Sequence, residues 1–399
     1  MTRLWAVTTN TFLQTVRQPI YAIIVLVALG SFAAAPALTG WTLDDDNKML
    51  RDIGLSTLLI QGLFLAAFSA AGVLSVEIEQ KTVLTVAAKP LPRSLFVVGK
   101  YLGVVGAVAV AHYLAVIAFA MSMRHGVLQT SADPVDLTVL ALGPGMTLLM
   151  LLAAAALNYL FDWKFLPTAV ALLVPTLTAS ALILAFIDRD WRLKRFERTQ
   201  TLDALPREIT SREMLRGIVE FRPDEGKRWL PGARGTLVRE ERLGPVNDAD
   251  REFLLNLSDD YQWRRQVDWL IAETRKITTP DIVKAAYLVF LAVALLCGVA
   301  VAASTRLGTL WTLVLCVLML CVGFVTDHYL QPLDEQGVRW AQTLYRLLPN
   351  FQFFWMIDAL ADDRVIPWSY LGRVTAYAGV YCAGLVALAA ALFETREVG

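Results

Sequence analysis

The chain has 399 residues, 56% of them hydrophobic and 18% charged, and its 36 basic and 36 acidic side chains cancel. A soluble domain carries about a quarter charged residues, so this depletion, with a mean hydropathy of +0.52, points to a bilayer. Zero net charge excludes a strong electrostatic pull toward nucleic acid. The four cysteines (Cys297, Cys316, Cys321, Cys382) all lie in apolar runs, which excludes a disulfide framework or a CxxC zinc pair.

Charge is also unevenly placed. Between Arg189 and Lys284 lie 38 of the 72 charged residues, so a membrane protein is interrupted by one soluble module. The expected fold is an all-α polytopic membrane protein: about eight transmembrane helices, amphipathic interfacial helices and one soluble helix-rich insert. Four blocks follow in order: an N-terminal interfacial helix (1–19), a five-span block (20–188), the insert (189–281) and a three-span block (282–399).

In the first block Leu4, Trp5, Phe12, Leu13 and Val16 recur at helical spacing with Thr and Asn between them, which predicts an amphipathic helix in the interface. Ala33-Ala34-Ala35-Pro36-Ala37 resembles a signal-peptide cleavage site. The 19 residues before Ile20 are too long and too apolar for a basic leader, so the first span is expected to stay uncleaved.

A hydrocarbon core about 30 Å thick needs about 20 apolar residues per helix. Runs of that length fall at Ile20–Thr39, Leu55–Val76, Val97–Met123, Leu137–Leu160 and Phe165–Ile187, and after the insert at Ile282–Ala303, Leu307–Thr326 and Leu371–Phe393. Gly143-Pro144-Gly145 predicts a kink or shortening in the fourth. Only Phe161-Asp162-Trp163-Lys164 joins the fourth and fifth, which makes them a helical hairpin.

With eight spans both termini share one side. Its short loops hold nine Lys and Arg (including Arg17, Lys81, Lys89, Arg93, Lys164 and Arg306) against seven opposite, which favours cytoplasmic termini in a bacterial inner membrane and a periplasmic insert. In the insert, Thr210-Ser211-Arg212-Glu213 reads as a capping box opening a helix. A turn-rich stretch and a short strand at Thr236–Glu240 follow, then a second helix from Asn247 toward Lys276. Thr279-Pro280-Asp281 reads as the start of the sixth span. Aromatics crowd residues 340–361, broken by Pro349, which suits amphipathic helices at the outer interface.

Catalytic signatures are scarce. Three histidines (His112, His125, His328) are present without GxSxG, HExxH, GxGxxG or a phosphate loop, so no catalytic, metal or cofactor site is expected in this chain. His112 reads as a packing hydrogen bond. Asp327 beside His328 is two ligands, too few for a metal centre.

The most informative stretch runs from Ser75 to Gly103. It reads as a polar, amphipathic helix stopped by Pro90 and Pro92 and restarted at Ser94, a rigid surface on which another protein can push. Gly99, Gly103 and Gly106 then give a small-residue face for close helix packing. Glu77, Glu79, Thr82, Pro90, Arg93, Gly99, Lys100, Leu102 and Gly103 resemble the loop after the second span of ABC-2 type transporter permeases. Lys81 departs from the family's usual glycine. Ser304-Thr305-Arg306-Leu307, Leu348-Pro349-Asn350-Phe351 and Phe393-Glu394-Thr395-Arg396-Glu397 resemble that family's last spans and outer re-entrant helices.

The resemblance covers the first 120 and last 120 residues. It implies a permease, an exporter, with Glu77, Glu79, Lys81, Thr82, Pro90 and Arg93 on a coupling segment (77–96), and Pro349 and Asn350 in the outer re-entrant segment. It also implies a separate ATP-binding subunit holding ATP and Mg, and a second permease, identical or related. Membrane lipid is the remaining partner. Two rival readings are a non-transporting scaffold or sensor presenting the insert, and an ion-coupled secondary transporter. The second would want several ionisable groups deep in the spans, which are nearly free of them.

Overall fold

The computed structural model describes residues 2–39, 46–75, 92–127, 135–187, 191–193, 229–231, 237–239, 279–336, 338–357, 360 and 366–395. Two compact units divide the chain: Met1–Arg192 with Thr279–Ala361 and Ile366–Gly399, and Leu193–Thr278 with Asp362–Val365.

The first unit is helical. Its elements are α1 (Thr2–Val16), α2 (Pro19–Thr39), α3 (Asp46–Ala70, ending in a π turn, Ala71–Ser75), α4 (Arg93–His125), α5 (Leu137–Phe161) and α6 (Phe165–Phe186). After the second unit come α7 (Thr279–Ser304), α8 (Thr309–Glu335), α9 (Arg339–Leu347), a 3-10 turn (Phe351–Phe354) and α10 (Trp368–Glu394). Eight of these, α2 to α8 and α10, are long and apolar enough to cross a membrane. They coincide with the eight apolar runs because a helix satisfies its own backbone hydrogen bonds, the condition lipid imposes.

Burial ranks the helices. In α7 83% of the most apolar window is inside the bundle, in α3 72% and in α4 56%, against 17% in α10 and 22% in α5 and α8. So α3, α4 and α7 form the centre. Polar side chains bind α4 to α2 and α7 through backbone carbonyls: Tyr21 Oη donates to Ala107 O (2.8 Å), Tyr101 Oη to Ala294 O (3.2 Å) and His112 Nε2 to Ala286 O (3.0 Å). The Tyr101 and His112 pairs also run α4 and α7 antiparallel. This sets a lower end (Ser75, Arg93, Lys164, Ser304, Glu394) and an upper end (Arg124, Asp281, Asp327, Trp368).

Local chemistry explains the breaks. Pro144 has no N–H to give Leu140, and the helix answers with a π turn at Ala141–Gly145. The α5–α6 hairpin turns on Asp162, left-handed at φ 56°, whose N–H caps Asn158 O, while Asn158 Nδ2 bonds the Trp163 carbonyl. Asp is among the few residues that accept this conformation. Helix α4 begins at Arg93, two residues earlier than Ser94 as a cap would place it, with extended Pro92 (ψ 132°) before it and no side-chain cap. Helix α7 opens on Thr279 and Pro280 as the sequence suggests.

Helix α1 packs against the bundle through its small polar residues rather than through the apolar ones that mark it in the sequence. Thr11 and Thr15 are fully buried, while Trp5 and Leu13 are exposed. In a lipid setting apolar residues gain nothing by facing protein, so the small polar threonines take the packed face.

The described part of the second unit is one antiparallel ladder, β1 (Trp229–Pro231) on β2 (Leu237–Arg239), with Leu230 opposite Val238. The strand read at 236–240 falls on β2. The capping box at Thr210 and the helix from Asn247 lie outside the described residues.

Candidate functional site

The sequence directs attention to the lower end, where the chain leaves α3 and re-enters at α4. Glu77, Glu79, Lys81, Thr82 and Pro90 lie outside the described residues; both flanks of their segment are inside them. The leaving flank is the π turn, with Ala71, Val73 and Leu74 buried. It abuts the α1–α2 elbow so closely that a Cβ on Gly72 would fall 2.6 Å from Gln18 Nε2.

The returning flank is held by the last helix. Arg93 Nη1 donates to the Glu394 carbonyl (2.9 Å), and Phe96 stacks on Phe393 with centroids 5.6 Å apart. Arg306 Nη2 donates to Thr395 Oγ1 (2.5 Å) from the α7–α8 loop. Two guanidinium groups thus meet the carbonyl end of α10, where helix dipoles favour cations. One turn along, Lys100 is 2% exposed, its Nζ 5.2 Å from the centroid of the Phe96 ring.

Gly99 and Gly103 carry α1. A Cβ on Gly99 would sit 2.6 Å from Val7 Cγ1, and one on Gly103 would sit 2.5 Å from Thr11 Cβ and 2.7 Å from the Thr8 carbonyl. Gly106 is looser, with Phe12 Cδ2 at 3.5 Å. Helix α4 has 33 residues, about 50 Å at 1.5 Å each, some 20 Å beyond a hydrocarbon core. Its first turns, where α1 rests, therefore have length to spare for the interface.

At the upper end Pro349 and Asn350 form the turn between α9 and the 3-10 turn. Asn350 Nδ2 and Tyr345 Oη both donate to Asp327 Oδ1 at 2.9 Å, and Asn350 Oδ1 caps the Gln352 N–H (2.9 Å). The Asn350 N–H donates to Tyr377 Oη (2.8 Å), while Tyr381 Oη donates to Arg346 O (2.9 Å) and Leu348 O (3.3 Å). Asp327 stands eight residues before the end of α8, about 12 Å along it. These side chains satisfy the backbone polar groups that the break in the helix leaves without helical partners. Burial, and then the hydrogen bond to the Asp327 carboxylate, push the Tyr345 phenol above its ordinary pKa.

In the sequence Asp327 stands out only beside His328, as two ligands too few for a metal. His328 instead lies edge-on to Tyr329. Among the described residues no group of three His, Cys, Asp or Glu could hold a metal.

Two upper clusters went unread in the sequence. Arg124, in the last turn of α4, reaches the ends of two other helices. It bonds the Leu184 carbonyl, donates to Ile187 O (2.7 Å) and Thr138 Oγ1 (3.2 Å), and lies 3.4 Å from Asp136, which is fully buried. Asp136 Oδ1 in turn caps the Val139 N–H (3.1 Å). The signal available was an Asp-x-Thr cap twelve residues after a helix-ending Arg. In the second cluster, Lys284 Nζ bonds Asp281 (2.9 Å) and the Ile366 carbonyl (3.0 Å) beneath the Trp368 ring, 4.8 Å from its centroid. Here an i,i+3 acid–base pair in the first turn of a span was the visible sign.

Compared with family models, curated proteins and solved structures, the chain matches none. The structure itself shows a mostly helical chain with eight helices, among the described residues, long and apolar enough to cross a membrane.

Proposed function

We propose that this chain is the membrane permease of an ATP-driven transporter of the ABC-2 type, an exporter. It pairs with a second permease, identical or related, and a separate ATP-binding subunit holds ATP and Mg. The eight helices span a bacterial inner membrane, the lower end and both termini face the cytoplasm, and residues 77–96 are the surface on which the ATPase pushes.

One observation supports this reading above the others: the polar segment is set into the bundle at both flanks. A displacement of it reaches α3 and the α1–α2 elbow through the π turn, and α10 through Arg93 and Phe96. Packed helices respond to such a load by discrete shifts rather than by smooth deformation. The sequence lacks a phosphate loop, so nucleotide hydrolysis falls to the partner.

Co-purification in mild detergent tests the proposal. The expected result is a stable complex with an ATPase whose turnover falls at least about tenfold, a coupling change of about 1.4 kcal/mol, when Glu77, Glu79 or Arg93 is reversed in charge. An intact complex with unchanged turnover in all three variants removes the coupling role. ATP hydrolysis by the purified chain alone removes the permease reading.

A further inference from the structure

Arg93, the Ser304-Thr305-Arg306-Leu307 stretch and the Phe393-Glu394-Thr395 stretch, far apart in the sequence, meet at one point of the lower end. Arg93 and Phe96 hold the carboxyl end of α10 from one side, and Arg306, in the turn between α7 and α8, holds it from the other. The first hold leads from the coupling segment into α10. The second leads out of α10 again.

Arg306 is fixed to α7 by the backbone around it. Its N–H donates to the Ala303 carbonyl (3.0 Å), and the Leu307 N–H donates to the same oxygen (2.8 Å). Ser304 Oγ donates to Val301 O (3.0 Å) and Thr305 Oγ1 to Ala302 O (2.7 Å), and both residues are fully buried. The last carbonyls of a helix lack helical partners; here those of Val301, Ala302 and Ala303 are all satisfied by residues 304 to 307. The turn is wound onto the end of α7, so a displacement of the Arg306 guanidinium carries α7 with it.

The other end of the bond is equally fixed. Thr395 Oγ1 accepts from Arg306 Nη2 (2.5 Å) and shares its own proton between the Ala391 and Leu392 carbonyls (3.2 Å each). A hydroxyl bound by a cation at its lone pair and by carbonyls at its proton is polarised, which strengthens both bonds. One residue earlier the Glu394 carbonyl accepts from Arg93 Nη1 (2.9 Å). Helix α10 therefore ends between two guanidinium groups held on consecutive residues, and neither can shift that end without straining the other's bond.

We propose that Arg306 is a positioning residue of the coupling path: a displacement that α10 receives from the 77–96 segment through Arg93 is passed by Arg306 to the α7–α8 turn, and so to α7. The proposal rests on the coupling reading of that segment. Helix α7 is the recipient that matters, because it is the most buried of the eight spans, with 83% of its most apolar window inside the bundle, and is bonded to α4 at Tyr101 and His112.

The test uses the chain in complex with its ATPase in mild detergent and reads kcat and KM for ATP. Arg306→Met keeps the apolar stem and removes the charge and the donors. Because the bond is exposed, the expected loss in kcat is about threefold, with KM for ATP unchanged, since the partner holds the nucleotide. Thr395→Val removes the hydroxyl at constant shape, is expected to give the same loss, and serves alone should Arg306→Met fold poorly. The double variant is expected to lose about threefold and not about ninefold, because both changes break one bond. Arg306→Lys keeps a charged donor and is expected to recover most of the loss. Arg346→Met, an exposed arginine on α9 at the upper end, is the control and is expected to change nothing.

Combining Arg93→Met with Arg306→Met separates a path from two local supports: links in series share one loss, whereas independent supports multiply theirs. Multiplied losses overturn the proposal. So does parental turnover in both Arg306→Met and Thr395→Val in a complex that charge reversal at Glu77 or Glu79 still slows, and that outcome leaves the coupling reading in place. Turnover insensitive to charge reversal at Glu77, Glu79 and Arg93 removes the coupling reading and the role of Arg306 together.

Discussion

Replacing Gly99, Gly103 and Gly106 by alanine one at a time asks whether α1 is seated on α4. Each change carries the same intrinsic gain, since alanine is about 1 kcal/mol more favourable than glycine inside a helix. The steric terms differ. At Gly106 the new methyl meets Phe12 at 3.5 Å, ordinary contact. At Gly99 it would lie 2.6 Å from Val7 Cγ1, the end of a side chain that has some room to turn. At Gly103 it would lie 2.5 Å from Thr11 Cβ and 2.7 Å from the Thr8 carbonyl, and the backbone of α1 has to move. Overpacking of this kind costs about 1–3 kcal/mol.

Stability is therefore expected to fall in the order Gly106→Ala, Gly99→Ala, Gly103→Ala. The first is stabilised by about 0.5–1 kcal/mol and the last destabilised by about 1–2 kcal/mol. Thermal unfolding in detergent, followed by intrinsic tryptophan fluorescence, is a suitable assay, because Trp5 on α1 reports its release. A separation of about 2 kcal/mol between the extremes moves the midpoint by roughly 2–3 °C. If Gly103→Ala proved as stable as Gly106→Ala, α1 would not rest on these glycines and the packing argument would be wrong.

Arg124→Ala is expected to loosen the α5–α6 hairpin by about 2–4 kcal/mol, because it takes the cation from fully buried Asp136 and a donor from the Leu184 and Ile187 carbonyls. Adding Asp136→Asn should recover part of that loss in a double-mutant cycle by chemical unfolding, and strict additivity would deny the pairing. Tyr345→Phe is expected to be less stable than the parent by a margin that is constant from pH 7 to about 9. A phenol whose folded pKa is raised contributes stability present below about pH 10, lost as pH climbs through the folded value. The margin should shrink above about pH 10, and one flat to pH 11.5 would show that Tyr345 does not face the Asp327 carboxylate.

The extent of the helices was legible because span length is a local property. A run such as Ile282–Ala303 announces α7 whatever surrounds it, and Pro144 announces a broken turn by the N–H it lacks. The outer segment was half legible. Pro349 and Asn350 marked a break among aromatics, while the anchor, Asp327 on α8, is a single acid 23 residues away whose partner no periodicity reveals. In the sequence Arg124 is one more cation at the end of a span, although it ties together three helix ends. A charge in a sequence carries no mark of which carbonyls will face it. For the segment that carries the functional reading, the sequence supplied the residues, and the described structure supplies the two flanks that hold it.

The sequence by itself determined how much of this protein is apolar, where it is cut into lengths that fit a bilayer, and where one charged module interrupts it. Those follow from hydrogen-bond satisfaction along a single chain segment. Which helix lies at the centre and which face of α1 turns inward were decided by tertiary packing alone. Lipid is as apolar as leucine, so burial leaves no hydrophobic stripe to read. Inside and outside are distinguished only by close approach at small residues and by polar groups that find partners across helices.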